Sequence, residues 1–400
     1  MLPIEMQPNI YWVGINDRVT ELFEGLWPIK QEGVSYNSYL IRDQKNVLID
    51  LSRETTTEDL LSQINALVPL ANLDYVVINH MEPDHSGALF ALRQIAPQTT
   101  IIGSAKAVEM MKQFYGITEN IMVVNDGDTL SLGDHTLKFF STPFLHWPET
   151  MMTYEISQQI LFSCDAFGGF GALPGSIFDD QYHNLTVYEN EALRYFTNIV
   201  SAFCRPVLKT LEKLSDLPVQ MVAPSHGLIW RSQPQHMLAL YKEWAGYDSS
   251  NAHPGVTLLY ASMYGNTEKV MEVIAQGIAS ENVALRVFNI SHTHISFMLP
   301  AMWVNQGLLL GMPTYEGNIF PPMKAVLDMC KTKHVFHKTA ARFGSHAWHG
   351  GAQRHFEEMA ELLKWDLQEC FEFSGGASPA ELQKSFQFGA AFARKFKTGV

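Results

Sequence analysis

Past residue 255, short apolar runs and longer amphipathic stretches alternate one for one, and few folds accommodate that rhythm. Strands are expected over 256–261, 285–289, 307–311 and 339–343, with helices over 268–281, 322–330, 353–363 and 379–395. Strands joined through helices pair in parallel, and the helices cover both faces of the sheet. The stretch before residue 250 is built differently. Its candidate strands, at 10–13, 39–41, 47–49, 75–78, 100–102, 121–124, 137–141, 151–156, 160–163 and 220–223, mostly come in adjacent pairs. Helical periodicity falls at 56–67, 87–95, 105–114, 189–214 and 234–245. This half reads as mixed α and β, with helices outside two stacked sheets. The run Tyr247-Asp-Ser-Ser-Asn-Ala-His-Pro-Gly255 is polar and punctuated by Pro and Gly, a connector between domains at 1–250 and 251–400.

With 400 residues, 46% hydrophobic and 17% charged, the chain is long enough for two buried cores. Acidic side chains outnumber basic ones 41 to 28, a formal charge of −13. Such a field disfavours nucleic acid and anionic lipid as partners. No apolar run approaches the ~18 residues of a membrane span. The start, Met1-Leu-Pro-Ile-Glu5, lacks the basic and apolar regions of a signal peptide, so the expected location is the cytoplasm. Cys164, Cys204, Cys330 and Cys370 are scattered without a Cys-x-x-Cys pair. Neither a disulfide framework nor an iron–sulfur site is expected within the chain.

The densest chemistry is His80-Met-Glu-Pro-Asp-His85, directly after the apolar run 75–78. For any one of these residues a solvated loop is the plain reading. In extended backbone, alternate side chains share a face. His80, Glu82 and Asp84 are therefore expected to converge, with His85 turning in from the start of the next helix. Three later strand ends carry His146, Asp165 and His226. Alone, His226 or Asp165 reads more often as a capped or hydrogen-bonded structural residue. Together the seven form a ligand set of four imidazoles and three carboxylates, enough for two metals sharing one carboxylate.

In the second half, Ser262-Met-Tyr-Gly-Asn-Thr267 joins a strand to a helix. Backbone N–H groups at a helix start, small residues and hydroxyls are what a phosphate needs. An ordinary helix cap uses the same residues. No Gly-Lys-[Ser/Thr] and no Gly-x-Gly-x-x-Gly accompanies it, which disfavours nucleoside triphosphates and dinucleotides. Gly311-Met-Pro-Thr-Tyr-Glu-Gly317 and Phe343-Gly-Ser-His-Ala-Trp-His-Gly-Gly351 end two further strands. In a doubly wound sheet these ends share one edge, where ligands bind. Tyr315 and Trp348 are suited to flank a flat heteroaromatic ring, or else pack over their loops.

The pattern His-x-[His/Glu]-x-Asp-His, followed by His, Asp and His at later strand ends, resembles the metallo-β-lactamase superfamily. Its hydrolases usually carry histidine where this chain has Glu82. A carboxylate there, followed by Pro83-Asp-His-Ser-Gly87, resembles the flavodiiron proteins, or A-type flavoproteins. The exchange makes the site harder and more anionic, favouring iron or manganese over zinc. The three loops of the second half resemble those of flavodoxin. The resemblance spans the whole chain. It implies a metallo-β-lactamase-like αββα sandwich followed by a flavodoxin-like doubly wound parallel sheet.

By the same resemblance, His80, Glu82 and His146 would hold one iron and Asp84, His85 and His226 the other, with Asp165 as the bridge. FMN would be held by Ser262, Met263, Tyr264, Gly265, Asn266 and Thr267, by Pro313, Thr314, Tyr315, Glu316 and Gly317, and by Ser345, His346, Ala347 and Trp348. The implied activity is reduction of O2 to water, of NO to nitrous oxide, or of both. Trp147 and Tyr195 would lie over the irons, or are simply core. Trp348 would stand between one chain's flavin and another's iron in a head-to-tail homodimer, or a homotetramer. His346 and His349, beside it, are charge modulators or solvated bystanders. Leu22-Phe-Glu-Gly-Leu26 stands where some members have a histidine, which leaves O2 against NO open. With no rubredoxin-type Cys cluster, the implied electron donor is external, such as rubredoxin or reduced deazaflavin coenzyme. Two rivals remain: a dizinc hydrolase with a flavin-binding regulatory domain, and an electron carrier with a vestigial metal site. Glu82 argues against the first and the complete ligand set against the second.

Overall fold

Val47, Leu48 and Ile49 are all fully buried, the mark of a strand covered on both faces. They belong to Asn46–Ile49, at the centre of a seven-stranded sheet in a computed structural model that describes residues 2–249 and 252–397. The strand order is Ile4–Gln7, Ile10–Trp12, Tyr39–Ile41, Asn46–Ile49, Leu73–Val77, Thr100–Gly103 and Ile121–Val123. Pairing is antiparallel up to Asn46–Ile49 and parallel beyond it. Helices Thr57–Leu67, Leu89–Ile95 and Ala105–Tyr115 share one core with this sheet, through Leu60, Ile64, Leu89, Leu92 and Met111. Against the other face lies a five-stranded sheet ordered Thr129–Ser131, Thr136–Ser141, Met151–Glu155, Ile160–Cys164 and Met221–Pro224. Tyr39 joins the sheets: its ring meets Phe162 at 4.9 Å and its hydroxyl donates to the Pro224 carbonyl at 2.6 Å. This is the metallo-β-lactamase-like αββα sandwich.

The chain divides into two compact units, Met1–Lys242 and Glu243–Val400. In the second, a parallel sheet runs Ala284–Asn289, His253–Tyr260, Asn305–Gly311, Thr339–His346, then Asp366–Leu367 and Phe371–Ser374 on the far edge. That order, second-first-third-fourth-fifth, is the flavodoxin-like doubly wound arrangement. Among the described residues no helix is long and apolar enough to cross a membrane.

Three local expectations change. The single helix expected over 189–214 is two, Leu185–Tyr195 and Cys204–Lys213, separated by a π turn at Phe196–Val200 and a 3-10 turn at Ser201–Phe203. Pro206 explains the break. It has no N–H for an unbroken helix, but the restart at Cys204 puts it in the first turn, where none is needed. Helix Ile295–Val304 was not expected, because Ile-Ser-Phe-Met-Leu-Pro-Ala-Met-Trp-Val is apolar all round and shows no amphipathic period. The connector at 247–255 is also shorter than expected: Tyr247–Ser249 is a 3-10 turn and the strand already begins at His253. A register shift between His253 and Val256 accommodates Pro254. Residues 250 and 251 lie outside the described residues.

Lys338, fully buried ahead of strand Thr339–His346, donates from Nζ to the carbonyls of Trp303 at 2.6 Å and Asn305 at 3.0 Å. Burial pulls its pKa down to about 7. A neutral amine has two N–H bonds for these two acceptors. Between pH 7 and the ordinary lysine range near ~10.4, the unfolded chain therefore binds the extra proton, and stability rises with pH. The free energy of unfolding of the second unit, read from urea titrations, should climb from pH 7 to 9 by roughly 1 kcal/mol per pH unit. Lys338→Met should flatten that slope, and an unchanged slope in the variant would contradict the assignment.

Candidate functional site

Strand Leu73–Val77 runs out at the sheet edge, and within a few residues the chain enters one helical turn, Pro83–Ser86, with Glu82 at its N-cap. Proline at the first helical position is preorganised for that start. The extended alternation expected to carry Asp84 alongside His80 and Glu82 therefore ends at Glu82. His80 and Glu82 gather with His146 and Asp165, whereas Asp84 and His85 gather with His226. His146 comes from the loop between Thr136–Ser141 and Met151–Glu155, and His226 from the end of Met221–Pro224. Asp165 directly follows Ile160–Cys164.

Asp165 stands between the two groups. Its Oδ2 is 3.4 Å from His80 Nε2 and 3.3 Å from His146 Nε2. Its Oδ1 is 3.0 Å from His85 Nε2 and 3.2 Å from His226 Nε2. Glu82 Oε2 lies 3.2 Å from both His80 Nε2 and His146 Nε2. Asp84 reaches His85 with one oxygen at 3.3 Å and His226 with the other at 3.2 Å. Close as they are, many of these atoms lack hydrogen-bond geometry. Both Asp84 oxygens, Asp165 Oδ2 and the Nε2 atoms of His85 and His226 are buried without a hydrogen-bond partner. Orphaned polar atoms of this kind are costly and rare. Donors aimed at a common point and left unsatisfied fit a bound cation, and a mixed imidazole and carboxylate set fits iron.

Electrostatics agree. Burial opposes ionisation of Glu82 and Asp165, but the surrounding imidazoles outweigh it and hold both carboxyls well below the usual range. Burial also opposes charge on the histidines. The close carboxylates of Asp165 and Glu82 nonetheless push His146 up to about 9, and those of Asp165 and Asp84 push His226 up to about 10. A bound metal ion would take the place of such protons.

Around this centre, His80 Nδ1 meets Glu149 Oε1 at 2.6 Å and His226 Nδ1 meets the Ser35 carbonyl at 2.7 Å, leaving each Nε2 to face inward. The buried Tyr195 donates its hydroxyl to Asp165 Oδ1 at 3.0 Å. Trp147 sets its ring edge-on to His80 at 5.1 Å, and Phe23 does the same to His226 at 5.3 Å. A cavity of about 700 Å³ reaches Glu82 and Asp84 between Phe23, Tyr36, Phe114 and Tyr115.

In the second unit, a cavity of about 360 Å³ opens where strands His253–Tyr260, Asn305–Gly311 and Thr339–His346 end. It is lined by every residue expected on the three loops except Gly265 and Tyr315, together with His349 and Gly375. Gly265 makes the turn into helix Asn266–Ala279 at φ +86°, and its N–H donates to Ser262 Oγ at 3.0 Å. Tyr315 faces away. It sits in a two-stranded hairpin, Thr314–Tyr315 with Asn318–Ile319, where neighbouring side chains point to opposite sides. Thr314 and Glu316 take the cavity side, and the Tyr315 ring packs on Phe320 at 5.9 Å. Thr314 Oγ1 and His346 Nδ1 are buried without a partner, and both residues line the cavity. Trp348 is 83% exposed at its rim. The helix start, the hydroxyls and the orphaned donors fit a phosphate-bearing aromatic cofactor.

Residues 34–227 match the ODP family beta lactamase and residues 258–389 match flavodoxin. The anaerobic nitric oxide reductase flavorubredoxin of Salmonella typhi is 36% identical over 357 residues, 88% of this chain and 74% of that protein. The crystal structure of the flavodiiron protein from Giardia intestinalis superposes with a TM-score of 0.94 at 28% identity, covering 99% of this chain and 97% of that one. The chain belongs to the flavodiiron proteins. Rubredoxin oxygen:oxidoreductase from Desulfovibrio gigas gives a TM-score of 0.94 at 26% identity, over 98% of both chains. Flavodiiron proteins are oxidoreductases with a non-haem diiron site and FMN, and the two clusters fit that pair.

Three residues around the flavodiiron centre escaped the sequence reading. Glu149, behind His80, carries no spacing signal. Ser35 acts through its carbonyl, which any residue would supply. Asp50 accepts from Asn79 N at 2.7 Å and Nδ2 at 2.9 Å, while Asn79 Oδ1 takes the Thr153 hydroxyl at 2.7 Å. Like the metal-facing residues, Asp50 directly follows an apolar strand, a signal that was available.

Proposed function

We propose that this chain reduces O2 to water, NO to nitrous oxide, or both, with His80, Glu82 and His146 on one iron, Asp84, His85 and His226 on the other, and Asp165 bridging. The metal domain is assigned to 1–250 and the FMN domain to 251–400. The observation that carries the reading is Asp165, each of whose oxygens faces a different pair of imidazoles. When bound, a diferrous pair supplies two electrons and fully reduced FMN two more, the four that O2 needs, while coupling two NO needs only two. The relatives named for nitric oxide and for oxygen chemistry support both gases.

The chain's own residues hold and shield the site. Tyr195 fixes the inward-facing Asp165 oxygens through its hydrogen bond to Oδ1. Phe23 and Trp147 cover His226 and His80 with apolar rings and limit water there. The Phe- and Tyr-lined cavity offers small gases a path to Glu82 and Asp84. At the FMN cavity, the start of helix Asn266–Ala279 with Ser262 and Thr267 receives the phosphate, and the loops at Pro313 and Ser345 enclose the ring. We assign a cytoplasmic location, an external electron donor such as rubredoxin or reduced deazaflavin coenzyme, and a head-to-tail homodimer or homotetramer. Trp348 at 83% and Tyr264 at 89% exposure form an aromatic rim that supports such a contact.

The test is metal and flavin content of protein grown with ample iron, followed by anaerobic mixing of the reduced protein with O2 or with NO. Two irons and one FMN per chain, with consumption of at least one gas, is the expected result. Two zincs with esterase or phosphodiesterase activity would replace this reading with the hydrolase.

A further inference from the structure

We propose that Glu149 is a positioning residue for the first metal group: its carboxylate locks His80 with Nε2 facing the centre and, by its charge, strengthens that imidazole as a ligand. Glu149 is completely buried at its side chain. One oxygen, Oε1, meets His80 Nδ1 at 2.6 Å and accepts the Met81 N–H at 2.9 Å, so it fixes both the ring and the backbone that follows it. The other, Oε2, is buried with no hydrogen-bond partner. Among the described residues His80 is its one cationic neighbour within salt-bridge distance. A neutral amide would satisfy the Oε1 contacts equally well, so what the carboxylate adds is charge directed at His80. Histidine ligands backed by a carboxylate are more basic and better oriented. The corresponding partner of His226 is a neutral carbonyl, that of Ser35.

The loop geometry gives Glu149 a second link to the site. His146 and Glu149 lie three residues apart in one loop, so this segment faces the first group directly through His146 and backs it through Glu149. Ser104, the N-cap of helix Ala105–Tyr115, ties the loop down by donating its hydroxyl to the Glu149 carbonyl at 2.8 Å.

This inference rests on the two-metal reading above, and the experiment separates the two. Metal-free wild type, Glu149→Gln and Ser104→Ala are titrated anaerobically with Co(II) against a competing chelator, following the ligand-field bands. Wild type should take up two ions; uptake of none would sink the two-metal reading itself. Glu149→Gln should bind one ion normally and the other about 10–100-fold more weakly, with FMN content unchanged. Ser104→Ala loosens the loop but keeps the charge, and should bind both ions near wild-type affinity. Normal binding of both ions by Glu149→Gln, or an equal loss in Ser104→Ala, would overturn the proposal. A measurement on wild type needs no variant: in zinc-loaded protein with 15N-labelled histidine, His80 should carry its proton on Nδ1 and its metal on Nε2. The opposite tautomer would overturn it as well.

Discussion

Asp165→Ala is expected to leave the chain with one FMN and no tightly bound iron. Its two oxygens face His80 and His146 on one side and His85 and His226 on the other. Alanine therefore removes a ligand from both groups at once. It also removes an anion from among four buried imidazoles, leaving Glu82, Asp84, Glu149 and the more distant Asp50 as the nearby carboxylates. Loss of a partner behind a ligand already costs about 10–100-fold in metal affinity, so loss of the shared ligand should exceed a hundredfold for each ion. The FMN cavity is lined only by residues between Ser262 and Gly375 and should fill normally. Iron and flavin content after dialysis against a chelator, with gas consumption, checks this. Two irons and wild-type turnover in the variant would remove Asp165 from the bridge.

Much of this site was legible because its strands are covered on both faces. Met151–Glu155, Ile160–Cys164 and Met221–Pro224 are buried at every position and are mostly apolar, broken only by Thr153, Glu155 and Ser163. Polar residues at their ends, such as Asp165 and His226, stand out against such runs. The partition of the ligands came from the family resemblance and did not stand out in local spacing. It depends on a helical turn of four residues, Pro83–Ser86, too short to show a period, which rotates Asp84 away from His80. The break between Tyr195 and Cys204 was hidden for the opposite reason. The residues around it keep a helical pattern, and only the missing N–H of Pro206 argues against continuity. Tyr315 lies off the cavity lining because it sits one step of alternation from Thr314 and Glu316 in a hairpin two residues long on each side, which spacing alone does not show. Glu149 and Ser35 act across the fold, from 69 and 191 residues away in sequence from the histidines they hold, and local spacing carries no trace of such pairs.

Gly227→Ala should separate the two metal groups, losing one ion where Asp165→Ala loses both. Gly227 follows His226 directly, with φ at +76°, a conformation that side chains resist. A Cβ here would stand 1.9 Å from the Tyr188 hydroxyl oxygen and 2.9 Å from the Gly169 carbonyl oxygen. Tyr188 is itself buried and accepts the Leu228 N–H at 2.9 Å, so it cannot step aside without orphaning that group. The left-handed conformation costs about 1–2 kcal/mol and overpacking about 1–3 kcal/mol, which together predict a loss of roughly 3 kcal/mol in the metal-free protein. Relief by backbone movement would shift His226 off the Ser35 carbonyl, now 2.7 Å from its Nδ1, and away from Asp84. The group of Asp84, His85 and His226 should then empty, while His80, Glu82 and His146 keep their ion. Tyr188→Phe in the same chain removes the oxygen that the new methyl strikes, and should restore part of the second ion. Full occupancy of both groups in Gly227→Ala alone would show that the turn after His226 does not set the ligand's position.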